Sequence, residues 1–206
     1  FGVNAGGTAP LSYQWRKGGV PIGGATNVTL ALANVQTSDA GSYDVVVSNS
    51  VGSITSSAAP LTVNVAPAIT TQPANATVNQ GQTAAFTAAA SGTPAPTYQW
   101  KKNGTSISGA TSTTLTITNV QTTDVGGYAI VATNSIGSAT SNTATLTVST
   151  PPTITAQSVA QTVNFGSSAA FNVSASGSTP LSYQWRKGGA AITGATNATL
   201  TLSNVQ

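Results

Sequence analysis

The sequence predicts an all-β chain of two-sheet β-sandwiches repeated in tandem, and three observations carry that expectation. The first is composition. Thr, Val, Ser, Ala and Asn dominate the 206 residues, interrupted by 21 Gly and 10 Pro, and only 4% are charged. Thr and Val suit the pleated, half-buried surface of a strand, whereas clustered Gly, Pro and Asn suit turns. The second is register. Trp15, Trp100 and Trp185 recur every 85 residues, as do Phe1, Phe86 and Phe171, then Leu30, Leu115 and Leu200. Asn34, Asn119 and Asn204 keep the same step, each inside "NVQ". The third is alternation of apolar and polar residues with period two, the mark of strands buried on one face.

Residues 66–150 span one whole period, so the strands are read there in order. "AITTQP" (68–73) and "ANATVNQ" (74–80) open the repeat as two short segments. "AAFTAAA" (84–90) places Phe86, Ala88 and Ala90 on one face, and "TYQWKK" (97–102) does the same for Tyr98 and Trp100. "TTLTITNV" (113–120) alternates Leu115 and Ile117 with Thr. "GYAIVATN" (127–134) aligns Tyr128, Ile130 and Ala132, and "TATLTVS" (143–149) aligns Ala144, Leu146 and Val148. About seven short strands per period, with turn signals between, imply a sandwich. Short connections at 64–70 ("NVAPAIT") and 149–155 ("STPPTIT") each contain Pro, which stiffens a joint.

The motifs "YQWKKNG", "TLTITNVQTTDVGGY" and "YAIVATNSIGSATSNTATLTV" stand in an order that resembles the immunoglobulin-like domain of the intermediate-set type. The D-x-G-x-Y element occurs as Asp39 to Tyr43 and as Asp124 to Tyr128. The resemblance implies that Trp15, Trp100 and Trp185 are buried core residues of the third strand. It also implies that Tyr43 and Tyr128 return their hydroxyls to nearby backbone, with Asp39 and Asp124 shaping the preceding turn. Its inter-sheet cysteines would fall on Val3 with Val45, on Ala88 with Ile130, and on Val173, so an apolar contact replaces a disulfide usually worth ~2–4 kcal/mol. Cysteine-free tandem domains of this kind resemble the repeats of large bacterial secreted and cell-surface proteins, which implies an extracellular or cell-surface location.

Chemistry is sparse. The chain has no His, Cys or Glu and only three Asp, so no carboxylate pair, nucleophile–base couple or metal cluster can be assembled. An enzyme is not expected, nor a cofactor or a metal. All six basic residues (Arg16, Lys17, Lys101, Lys102, Arg186, Lys187) sit one or two places after a Trp, which argues against nucleic acid despite the net charge of +3. Each doublet reads as a solvated strand end, and each Trp as core rather than as a sugar-stacking platform. Asn27, Asn75, Asn103, Asn172 and Asn197 open Asn-x-Ser/Thr sequons and are candidate glycan acceptors. No stretch approaches the ~18 apolar residues of a membrane helix.

The register divides the chain into residues 1–65, 66–150 and 151–206. Only the middle part is expected to be a whole domain; the first lacks the opening strand and part of the next, and the last lacks the final two. Head-to-tail completion between chains would supply the shared strands twice, so a window on a longer array is the expectation. The expected function is a non-catalytic structural repeat segment of a long extracellular rod or filament, assembling laterally or head to tail, whose partners are copies of itself. Outward positions of Thr, Ser, Asn and Ala offer little charge to oppose lateral packing. The alternative is an adhesin stalk or a carbohydrate-binding or spacer module, with glycans or cell-surface ligands as partners.

Overall fold

The structure is a computed structural model and describes all of residues 1–206. The first copy contributes β1 (Ser12–Lys17), β2 (Val20–Pro21), β3 (Gly41–Ser48), β4 (Ser53–Thr55) and β5 (Ala59–Leu61). The middle copy contributes β6 (Val65–Thr71), β7 (Ala76–Asn79), β8 (Ala84–Thr87), β9 (Ala89–Thr93) and β10 (Thr97–Lys102). It continues with β11 (Thr105–Ser106), β12 (Thr114–Ile117), β13 (Gly126–Asn134), β14 (Gly137–Thr140) and β15 (Ala144–Ser149). The third copy holds β16 (Thr153–Ala156), β17 (Ala169–Asn172), β18 (Ser174–Ser176), β19 (Arg186–Lys187), β20 (Ala190–Ala191) and β21 (Thr199–Leu202).

The middle copy is a closed two-layer sandwich. One sheet runs β11-β10-β13-β15-β7, with β14 also on β13 and the β15–β7 pair parallel. The facing layer is built from the β12–β8 and β6–β9 pairs. Ten buried residues fill the space between, among them Phe86, Trp100, Leu115, Val120, Tyr128, Ile130 and Leu146. Ala88 and Ile130 are both fully buried in this core. Phe86 stacks on Tyr128 with ring centroids 4.9 Å apart, and Trp100 lies tilted against Phe86 at 6.3 Å. The Trp100 Nε1–H is not left unsatisfied inside; it donates to the Ser112 carbonyl at 2.9 Å.

Three departures from the sequence reading have local causes. The 143–149 strand is preceded by a separate strand, β14, because Ser141 breaks the ladder: its hydroxyl accepts the Ile130 amide at 3.0 Å and donates to the Asn142 carbonyl at 2.8 Å. Ser56 repeats this between β4 and β5, taking the Val45 amide at 3.1 Å. The 113–120 strand ends at Ile117, because Asn119 turns the chain with φ of 52°, a left-handed conformation that Asn tolerates. The same turn residue recurs as Asn34 and Asn204 with φ of 51° and 52°, which accounts for the "NVQ" repeat. The expected connections are largely absorbed into strands: Val65 already pairs with Thr93 and Thr153 with Ser176, leaving residues 62–64 and 150–152 as the joints.

The outer copies are less complete. In the first, β2-β1-β3-β4 with β5 forms a full sheet, but the facing layer is reduced to the Gly2–Thr29 bridge. Trp15, Leu30, Tyr43, Val45 and Val47 still form a buried cluster. In the third copy Trp185 departs from the expected burial. It is half-buried and outside any strand. The side chains that enclose Trp100 from its own sheet, such as Tyr128 and Ile130, have no counterparts among residues 151–206.

Candidate functional site

The most built feature of the chain is a turn assembly that occurs twice. In the middle copy it starts at Asn119, whose left-handed backbone aims the chain at a single 3₁₀ turn, Thr122–Asp124. The Gln121 amide donates to Asp124 Oδ2 at 2.8 Å, and Gln121 Nε2 donates to the Asn119 carbonyl at 2.8 Å. The Tyr128 hydroxyl then returns to the Asp124 carbonyl at 2.7 Å. Lys102 Nζ reaches across from β10 to donate to the Thr123 carbonyl at 2.6 Å, lying 5.9 Å from the Tyr128 ring centroid. That placement adds a cation–π contact to the hydrogen bond.

The first copy repeats each contact. Asp39 Oδ2 accepts the Gln36 amide at 2.7 Å, and Tyr43 donates to the Asp39 carbonyl at 2.7 Å. Lys17 Nζ donates to the Ser38 carbonyl and sits 5.9 Å from the Tyr43 centroid. The second residue of the basic doublet is therefore a clamp on the turn, not a solvated strand end. The signal in sequence was its fixed distance from D-x-G-x-Y, but the contact spans 21 residues and periodicity along one strand does not reveal it.

Chemically, these groups are spent on structure. Asp39 and Asp124 accept backbone amides, and Asp44 pairs with Arg16 at 2.6 Å. The hydrogen bond from Arg16 to Asp44, aided by the carboxylate's charge, raises the guanidinium's already high pKa against a smaller opposing effect of burial. Burial first, and the Asp124 charge second, push the Tyr128 phenol above its usual range. No group of three His, Cys, Asp or Glu side chains comes together that would hold a metal.

The first residue of the doublet differs between copies. Arg16 lies across from Asp44, whereas Lys101 lies across from Ala129 in the same register. Arg16–Asp44 is the one ion pair of the chain, and Lys101 has none.

The five sequons also divide. Asn103 occupies the tight β10–β11 turn with φ of 48°, and its Oδ1 accepts the Gly127 amide at 2.8 Å. A Cβ at Gly126 would come within 2.8 Å of that oxygen, so the glycine is required there. Asn75 Oδ1 accepts the Thr145 amide at 2.8 Å, and Asn172 Oδ1 accepts the Thr199 hydroxyl at 2.7 Å. Asn27 and Asn197 are exposed, and it is their carbonyls that serve the structure, accepting Trp15 and Trp185 Nε1–H at 2.9 Å.

Residues 67–148 match the family described as immunoglobulin I-set domain. Endoglucanase C of Cellulomonas fimi is 46% identical over 77 residues, which is 35% of this chain and 7% of the enzyme. Neuroglian of Drosophila melanogaster is 32% identical over 145 residues, covering 63% of this chain and 11% of that protein. The chain thus spans only a small part of the length of these relatives. Among solved structures, an I-band fragment from titin superposes with a TM-score of 0.63 at 23% identity, covering 98% of this chain and 80% of the fragment. Sidekick-1 immunoglobulin domains 1–4 give 0.59 at 22% identity over 98% of this chain and 59% of theirs. The fold is all-β, a tandem of immunoglobulin-like sandwiches.

Proposed function

We propose that the chain is a non-catalytic structural repeat segment of a long extracellular rod or filament, carried by a bacterial secreted or cell-surface protein and able to pack laterally on copies of itself. The observation that supports this best is the jointing. Only residues 62–64 separate β5 from β6, and only residues 150–152 separate β15 from β16. The strand that follows the first joint is held at its start: Asn134 Nδ2 donates to the Val65 carbonyl at 2.8 Å and to the Pro94 carbonyl at 2.9 Å. Short joints suit reach by repetition, in which each repeat meets its neighbours rather than a common centre. For lateral contact, β4 is exposed throughout, and its Ile54 is 72% exposed.

Small-angle scattering tests the rod. β13 is nine residues long, and a strand of that length spans about 30 Å at ~3.3 Å per residue. Inserting one further 85-residue repeat should lengthen the particle by at least that amount. A particle that grows in girth without lengthening would refute the rod.

A second reading, an adhesin stalk or a carbohydrate-binding or spacer module of a secreted or surface-anchored protein, is favoured by the similarity to a stretch of an endoglucanase. Its partners would be glycans or cell-surface ligands. Under either reading Asn27 and Asn197 are the sequons whose carboxamides are free to carry a glycan. Mass spectrometry of the secreted native protein should find any modification there before Asn75, Asn103 or Asn172.

A further inference from the structure

The outer face of the β10–β13 sheet carries a groove floored by Gly127, Ala129 and Val131 and walled by Lys101, Asn103, Thr140 and Thr143. The first copy shows what the cation at this position can hold. There Arg16 and Asp44 face each other in register, and the guanidinium Nε lies 2.6 Å from the carboxylate. In the middle copy the strand register is preserved, with Lys101 opposite Ala129, but the carboxylate is replaced by a methyl group. The ammonium has no acceptor from the chain.

Its surroundings are polar in a particular way. Asn103 gives its oxygen to the Gly127 amide at 2.8 Å, which fixes the side chain at the groove's edge. Thr140 and Thr143 are exposed, and their hydroxyls make no hydrogen bond within the chain. The floor has to be small at Gly127. A Cβ on Gly127 would meet Thr143 Cγ2 at 2.6 Å.

We propose that this groove binds a carboxylated saccharide, a uronate residue whose carboxylate takes the place beside Lys101 that Asp44 takes beside Arg16. The neighbouring threonine hydroxyls then meet the sugar's ring hydroxyls, which both donate and accept. An acidic peptide fits less well. The groove is on a sheet face whose backbone is already paired on both sides of β13, so it offers an extended peptide no strand edge to add to. The chain cannot supply the ligand from its own side chains: Asp39, Asp44 and Asp124 are each held internally. A single ammonium gives a weak site. The site stands independently of the rod reading, which the scattering experiment decides separately.

Titration of the full chain with trigalacturonate, followed by amide resonances, tests the site. The amides of Lys101, Asn103 and Ala129 should shift saturably, and the methyl ester of the same trisaccharide should bind about tenfold more weakly or less. Ala129→Asp rebuilds the internal pair of the first copy and should weaken binding by a similar factor while leaving the remaining resonances in place. Lys101→Gln should do the same without adding a charge. Three outcomes would overturn the proposal: no saturable shift with trigalacturonate, equal binding of acid and ester, or a hexaglutamate peptide moving these resonances where trigalacturonate does not.

Discussion

Residues 10–19 and 180–189 carry the same ten letters, PLSYQWRKGG, and fold differently. In the first, Ser12–Lys17 is a six-residue strand and Trp15 is 4% exposed. In the second only Arg186–Lys187 is a strand, and Trp185 is half-buried. Intrinsic propensity is identical, so it cannot be the cause. The difference is β3, which pairs with β1 along its whole length, from Ser12–Ser48 to Lys17–Tyr43. Contacts made within the hairpin survive in both. Gln14 and Gln184 donate Nε2 to the carbonyls of Ile22 and Ile192 at 2.8 Å, and each Trp keeps its indole hydrogen bond at 2.9 Å. Thus the hairpin is a local property, while the strand and the burial of its Trp belong to the partner strand.

The largest test of that division is truncation of the indole. Trp100→Ala should cost the middle sandwich about 3–5 kcal/mol, the range for a large aromatic removed from a close-packed core. Trp185→Ala should cost less, about 1–2 kcal/mol, because that ring is only half-buried and lies outside any strand. Urea unfolding followed by amide exchange at Ile130 and at Ile192 reads the two copies separately. Equal losses would mean that the half-buried indole is as well packed as the buried one, and the comparison would fail.

A smaller effect separates the closed copy from its own turn. Tyr128→Phe removes the bond to the Asp124 carbonyl and keeps the ring that stacks on Phe86. The expected cost is about 1–2 kcal/mol, since a partly buried acceptor is left unpaired. The same substitution should change the pH profile. The folded-state pKa of Tyr128 is raised, so its contribution is whole below the phenol's unfolded value of about 10 and is lost as pH rises through the folded value. Wild-type stability should therefore fall on the alkaline side of pH ~10, and Tyr128→Phe should flatten that fall. An unchanged alkaline limb in the variant would show that another group controls it.

What the sequence discloses follows the same line between local and distant causes. The strand 97–102 was legible to the residue, because Tyr98 and Trp100 alternate with polar partners on a strand paired at both edges. The turn of the D-x-G-x-Y element was legible through a family resemblance, and its hydrogen bonds span only three or four residues. The break at Ser141 was not, because nothing in "SNTATLTV" says that a hydroxyl will take the amide of Ile130, eleven residues away. The half-burial of Trp185 was hidden for a stronger reason: its own neighbourhood is letter for letter that of the buried Trp15. The groove at Lys101 lay in plain view as a basic doublet, yet its meaning depends on Ala129 standing where the first copy has Asp44.

The smallest expected effect concerns the second cation of the doublet. Lys102 donates to the Thr123 carbonyl at 2.6 Å and lies 5.9 Å from the Tyr128 centroid, whereas Lys187 is exposed and has no counterpart of either partner among residues 151–206. Lys102→Met keeps most of the aliphatic stem and removes the charge and the donor. It should lower the stability of the middle sandwich by about 0.5–1.5 kcal/mol, the combined scale of a solvent-accessible hydrogen bond and an exposed cation–π contact. Lys187→Met should leave the third copy unchanged within about 0.5 kcal/mol, as for a surface substitution without partners. Because Lys17 makes the same two contacts in the first copy, Lys17→Met should behave like Lys102→Met even though that copy lacks a full facing sheet. A loss at Lys102 without one at Lys17 would show that the clamp depends on the closed core behind it; equal losses at both would make it a property of the turn itself.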